Sequence, residues 1–189
     1  MLINYKYIMY SIVCIFVLSA CSGDHPPDKQ IASFSFKDQN EQAFGTDDLA
    51  GSIWIASFIF TSCETVCPPM MFEMAALQEQ LEEKGIQVEF VSFTVDPKVD
   101  SPEVLKEYIQ QFTDDEANWH MLSEYSQETI EDFAREQFQT IVQKPDTSNQ
   151  VIHGTNFYLV DDQGYLIGEY NYMDETYMEE MMKDIKKIR

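Results

Sequence analysis

The chain of 189 residues carries 12 Lys and Arg against 33 Asp and Glu, a formal charge of −21. Such acidity argues against nucleic acid and against anionic lipid surfaces as electrostatic partners, and favours solubility, cationic partners or a raised local concentration of metal cations. Its length suits one domain with a real core and is too short to suggest two.

The first 20 residues differ in character from the rest. Lys6 is the only charged side chain before Cys21, and Ile8 to Leu18 is mostly apolar. That run is short for a membrane-spanning helix, which needs roughly 20 residues. Leu18-Ser19-Ala20-Cys21 places small residues before a cysteine, where a signal peptide is cut. The segment resembles a bacterial lipoprotein box, which implies a signal peptide at 1–20 and a diacylglyceryl group on Cys21. The alternative is an uncleaved N-terminal anchor, and either way the domain is tethered to the outer face of the cell membrane. Removing residues 1–20 takes away one Lys and no acid, so 11 basic and 33 acidic side chains remain, a charge of −22. Residues 21–30, with Gly23, Pro26 and Pro27, read as a lipid-anchored tether.

Residues 31–189 form the domain. Ile31–Phe36 and Gln42–Phe44, joined by Asp38-Gln39-Asn40-Glu41, suggest an N-terminal hairpin. Ile53–Phe60 is apolar on both faces, as in a central strand covered by helices. Met71–Lys84 predicts a helix that buries Met71, Met74, Ala75, Leu77 and Leu81 and stops at Gly85. Val88–Val95 is the next strand, ended by Asp96-Pro97. Ser101-Pro102 caps a helix reaching about Phe112. Trp119–Leu122 suggests a short strand and Ser126–Phe138 a helix. Val151–Asp161 and Tyr165–Tyr170 read as strands joined by Asp162-Gln163-Gly164, with Asp174–Ile188 as the closing helix. This order predicts an α/β fold of thioredoxin-like type: a mixed sheet with helices on both faces and an N-terminal β-hairpin. Its site belongs at the carboxyl end of the central strand.

Cys63-Glu64-Thr65-Val66-Cys67-Pro68 stands at that end. The other cysteines, Cys14 and Cys21, lie in the export segment. In a helical or near-helical segment, residues four apart share a face with Cα atoms about 6 Å apart, which permits either a disulfide or a shared metal ion. A helix N-terminus favours the thiolate, the form that attacks disulfides and binds soft metals. A purely structural bridge over so small a loop restrains little of the unfolded chain. His153, 86 positions after Cys67, lies on the loop entering the strand Thr155–Val160, which in a thioredoxin arrangement passes the cysteine site. It is either a hydrogen-bonded loop residue or the third member of an S₂N donor set. Such a set suits copper(I) and, with a further donor, copper(II); zinc with a water is also accommodated. His25 sits on the tether and His120 in a strand, which makes both weaker candidates. Met70, Met71 and Met74 offer thioethers, but methionines at helical spacing usually fill cores.

Cys63-Glu-Thr-Val-Cys67-Pro68, Thr94-Val95-Asp96-Pro97-Lys98-Val99-Asp100-Ser101-Pro102, and His153 ahead of Phe157-Tyr158-Leu159-Val160-Asp161 together resemble the Sco/SenC family. The resemblance runs from about Ile31 to the C-terminus, and the lipoprotein box suggests the Gram-positive type. It implies a membrane-tethered, thioredoxin-fold copper protein that assists assembly of the copper A centre on subunit II of cytochrome c oxidase. Cys63, Cys67 and His153 are then the copper ligands. Asp96 and Asp100 match the family's acidic motif and orient His153 or complement copper(II) from behind the ligands; the plainer account is that they end a strand and precede a helix. Ile152 departs from the more polar residue often found before the histidine. The alternative function is a thiol–disulfide oxidoreductase that reduces the acceptor cysteines of subunit II, with Cys63 attacking and Cys67 resolving. A peroxiredoxin-like peroxidase is disfavoured because Thr61-Ser62 supplies no proline-threonine lead-in. A monomer is the default state.

Overall fold

The structure is a computed structural model that describes residues 29–189. The signal segment 1–20, Cys21, His25 and the tether up to residue 28 lie outside the described residues. Among the described residues, nine strands and four helices follow in order: β1 (Ser35–Lys37), β2 (Ala43–Gly45), β3 (Trp54–Ile59), α1 (Cys67–Glu83), β4 (Glu89–Thr94), α2 (Pro102–Ile109) and β5 (Trp119–Leu122). After these come α3 (Gln127–Phe138), β6 (Val142–Gln143), β7 (Ile152–His153), β8 (Asn156–Val160), β9 (Leu166–Asn171) and α4 (Tyr177–Ile188). The main sheet has the order β5-β4-β3-β8-β9, parallel from β5 to β3 and antiparallel from β3 to β9. β1 and β2 form the expected hairpin, and β6 and β7 make a second, very short one.

Every residue of β3 is buried, so both faces of the sheet are covered at its centre. Register shows by what. Ala56 lies opposite Tyr158, and Tyr158 and Phe58 on that face meet Phe138 of α3 with ring centroids 5.1 and 5.3 Å away. Ile55 lies opposite Leu159 on the other face, where Phe157 meets Tyr177 of α4 at 5.7 Å. Tyr177 in turn donates to a carboxylate oxygen of Glu73 on α1, at 2.8 Å. α3 therefore covers one face, and α1 with α4 the other. Burying each of these aromatic side chains is worth roughly 1.5–3 kcal/mol. Between β3, β4 and β5 runs a buried polar chain in which the Ser57 and Ser92 hydroxyls bond at 2.9 Å and the Trp119 indole N–H donates to Ser92 at 3.0 Å.

Helix boundaries depart from the pattern-based ones in instructive places. α1 begins at Cys67, a full turn before Met71, with both prolines inside its first turn. Proline is tolerated there because the first N–H groups of a helix have no intrahelical partner to lose. α2 stops at Ile109 and α4 starts at Tyr177, both shorter than predicted. Strand β8 begins only at Asn156; Ile152-His153 is a separate strand paired with β6, with Val142 opposite His153. Met70, Met71 and Met74 are buried among the core side chains.

Candidate metal centre

Strand β3 ends at Ile59, and a tight turn follows in which the Cys63 N–H donates to the Phe60 carbonyl at 3.2 Å. Cys63 and Cys67 then flank the start of α1. No side-chain oxygen caps this helix. Instead the Cys67 N–H donates to Cys63 Sγ at 3.3 Å, so a sulfur occupies the role of a capping acceptor. A free N-terminal amide favours an anion in that role, and the bond helps hold Cys63 as thiolate.

The two thiols differ sharply. The hydrogen bond from the Cys67 thiol, aided by the N–H groups of Thr65, Cys67 and Val66, pulls the Cys63 pKa down to about 4 against the opposing effect of burial. Cys67 is pushed well above an ordinary thiol, first by that same bond, then by burial and by the charges on Cys63 and Asp100. The two shifts run in opposite directions and favour Cys63 as the sulfur that carries negative charge. Both cysteines are free and buried.

His153 completes the group. Its Nε2 stands 3.4 Å from Cys67 Sγ, and the ligand atoms of Cys63, Cys67 and His153 all lie within 4.8 Å of one another. The other ring nitrogen, Nδ1, is 2.8 Å from the Gly154 carbonyl oxygen. A carbonyl only accepts, so Nδ1 carries the hydrogen, and in the neutral ring Nε2 presents its lone pair toward the sulfurs. That tautomer is the one a metal ligand needs. Phe60 packs its ring edge-on to the imidazole at 5.6 Å and 88°, which limits its rotation. Two sulfurs and one correctly oriented imidazole nitrogen fit a soft, thiophilic ion. Binding it requires the proton on Cys67 to leave.

The two aspartates stand behind this group and touch the imidazole in none of their hydrogen bonds. Asp100, fully buried, accepts from the Thr61 N–H at 3.1 Å, from the Thr61 hydroxyl at 2.5 Å and from the Thr94 hydroxyl at 2.5 Å. Burial raises its pKa, and the threonine bonds oppose that shift. Asp96 forms an ion pair with Lys144, a residue with no mark in the sequence pattern. The pairing joins positions 48 apart, and only the fold brings them together. Burial also raises the Tyr108 phenol, with Cys67, Cys63 and Asp100 adding to the effect. His120 belongs elsewhere. It pairs across from Val91, and its nitrogens face Asp38 and Glu89.

A sequence profile described as SCO1/SenC matches residues 23–189. The chain belongs to the SCO1/SenC family. It is 39% identical over 172 residues to the SCO1 protein homolog of Bacillus subtilis, covering 89% of each chain. Its structure is similar to that of a SCO1/SenC family lipoprotein from Bacillus anthracis, with a TM-score of 0.83, 45% identity, and coverage of 87% of this chain and 98% of that one. It is also similar to BsSco, described as a member of the Sco family of cytochrome c oxidase assembly proteins with a disulfide switch (TM-score 0.79, 38% identity, 87% and 96% coverage). A copper-bound ScoI of Bradyrhizobium japonicum shares the fold at a TM-score of 0.69 and 23% identity, over 85% of this chain and all of that one. Among the described residues, no helix is long and apolar enough to cross a membrane.

Proposed function

We propose that this SCO1/SenC protein binds one copper ion through Cys63, Cys67 and His153 at the outer face of the cell membrane. It is tethered there by lipid on Cys21, and it assists assembly of the copper A centre on subunit II of cytochrome c oxidase. The observation that carries this reading is the convergence of a thiolate, a second sulfur and the lone pair of an imidazole nitrogen within 4.8 Å. The lipid tether rests on the small residues preceding Cys21 and on likeness to a relative described as a lipoprotein. Transfer follows by ligand exchange. A thiolate of the acceptor displaces one cysteine, then the other, and the Cys67 sulfur regains its proton as it is released. The full chain, purified in detergent, reduced and titrated with copper(II), should take up one equivalent and develop a thiolate-to-copper absorption band. A colourless protein with copper free in solution sinks the proposal.

One observation favours a second reading. Two free cysteines four residues apart, with the Cys63 sulfur accepting the Cys67 N–H at the start of α1, form the arrangement of a dithiol reductant. The Cys63 sulfur attacks an acceptor disulfide, forming a mixed disulfide and releasing one acceptor thiolate. Cys67, losing its proton, then attacks Cys63 and frees the second acceptor thiolate, which leaves a Cys63–Cys67 disulfide. Complementation separates the readings: full rescue of oxidase activity by His153→Ala favours reduction, and failure favours copper delivery.

A further inference from the structure

His153 has little local support. Hairpin β6–β7, which carries it, consists of two residue pairs, Val142 with His153 and Gln143 with Ile152. Ile152, its immediate neighbour, is exposed. So short a pairing does not fix a side chain by itself, and an isolated hairpin is marginal in water. Phe60 and the Gly154 carbonyl restrain the ring's rotation, but the backbone that carries it needs a further tie to stay beside the sulfurs.

The restraint comes from the turn between β4 and α2. Its span from Asp96 to Asp100 closes on itself, with the Val99 and Asp100 N–H groups both donating to the Asp96 carbonyl at 3.0 Å. Asp100, at one end of this turn, holds Thr61, two residues before Cys63. Asp96, at the other end, holds the Lys144 ammonium, next in sequence to the strand that pairs with His153. One rigid turn therefore grips the sulfur side of the centre with one carboxylate and the imidazole side with the other. A third tie closes the bracket. The Lys144 N–H donates to Glu131 at 3.0 Å, Gln127 donates to the same Glu131 oxygen at 2.9 Å, and Gln127 also donates to the Val95 carbonyl at 3.2 Å.

Burial makes the Asp96–Lys144 tie matter. The Asp96 side chain is 2% exposed and that of Lys144 22%, so the pair is shielded from water and salt far more than a surface ion pair. The other Asp96 oxygen, Oδ1, has no hydrogen-bond partner among the described residues. Among the described residues, Lys144 is the one cation paired with this buried carboxylate, and removing it leaves a charge that the turn relieves by shifting.

We propose that Lys144 is a positioning residue which, through Asp96, keeps His153 on the cysteine pair. It touches neither sulfur nor imidazole. Without it, the two sulfurs remain where Asp100 holds them while the imidazole drifts. Binding that needs the nitrogen weakens, and binding by two thiolates alone persists. The role rests on the ligand assignment above for its copper readout only, since the hairpin can be followed without metal.

The test uses the full chain in detergent with Lys144→Gln and Lys144→Arg. In the metal-free reduced protein, hydrogen exchange of the segment 142–153 should quicken about tenfold in Lys144→Gln, the size expected for losing one charged hydrogen bond, and return toward wild type in Lys144→Arg. Titrated with copper(II), Lys144→Gln should bind about 10–100-fold more weakly, as for other losses of a group that orients a ligand. Its nitrogen hyperfine pattern in electron paramagnetic resonance should change, whereas copper(I) affinity stays within about twofold and Lys144→Arg recovers copper(II) binding. Unchanged exchange in Lys144→Gln overturns the proposal. So does an equal loss of copper(I) and copper(II) affinity, which marks general destabilisation. A wild-type protein that binds no copper(II) contradicts the copper reading instead, and leaves the exchange comparison to decide this one.

Discussion

His153 and His120 are both partly buried imidazoles on short strands, and the chemistry around them is opposite. His120 lies on the edge strand β5, stacked flat on Phe44 at 3.6 Å and 12°, with a carboxylate oxygen 3.7 Å from each nitrogen. His153 meets Phe60 edge-on, gives one nitrogen to a backbone carbonyl and turns the other toward sulfur. A flat stack covers a ring's face and makes it a packing element; an edge contact restrains the ring and leaves a nitrogen to work. The donors differ too. Carboxylates are hard anions, whereas a thiolate pair is the softest set a protein offers. Among the described residues, only the His153 group brings three ligand atoms within 4.8 Å. A ligand is thus recognised by which atom its tautomer leaves free and by what faces that atom.

The largest effect that sharpens this contrast is loss of His153 itself. His153→Ala leaves two thiolates, which suit a two-coordinate copper(I) and not copper(II). Copper(II) affinity should fall more than about 100-fold, beyond the cost of losing an outer partner, and the charge-transfer band should vanish. Retention of the band would return His153 to the class of His120. The next effect concerns the sulfurs. In the metal-free reduced chain, Cys63, with its pKa lowered to about 4, should react with iodoacetamide at pH 6 on the order of a hundred times faster than Cys67, whose pKa is raised. The sign for stability follows. Between about pH 4 and the ordinary thiol range near 8.5 the folded chain binds fewer protons at Cys63 than the unfolded one. That contribution is present above the unfolded pKa and is lost as pH falls through about 4. Cys67 acts oppositely, holding its proton in the folded state and costing stability above the ordinary thiol range. Mass-spectrometric alkylation profiles between pH 4 and 9 check the reactivities, and equal rates at the two cysteines break the assignment.

Much of this was legible in the residues, and what was not has physical reasons. The unbroken apolar run of β3 marked a central strand, and Ser101 and Ser126 announced their helices by capping them as expected. The Cys63–Cys67 spacing and the lone loop histidine pointed to three side chains that the fold brings within 4.8 Å of one another. Strands β6 and β7 were not legible: two residues are too few for any periodicity. The end of α3 at Phe138 was legible, but not its manner: Gln139 takes a left-handed conformation (φ 53°) usually left to glycine. The acidic motif showed that Asp96 and Asp100 lay near the site but not whom they held. An ion pair to Lys144 depends on tertiary placement and leaves no local trace.

The smallest expected effect lies at His120, and it is the control for the comparison. His120→Gln removes the ring stacked on Phe44 while keeping a polar side chain of similar reach toward Asp38 and Glu89. Stacked pairs contribute about 0.5–1.5 kcal/mol beyond burial, so thermal unfolding should shift down by roughly 2–4 °C for a domain of this size. Copper affinity should stay within about twofold of wild type, because β5 is separated from β3, which leads into Cys63, by the whole width of β4. A titration in which His120→Gln weakens copper(II) as His153→Ala does would mean that the two imidazoles cooperate, and the distinction by tautomer and neighbouring atom would fail. Loss of stability with unchanged copper binding instead separates a histidine that packs from one that coordinates.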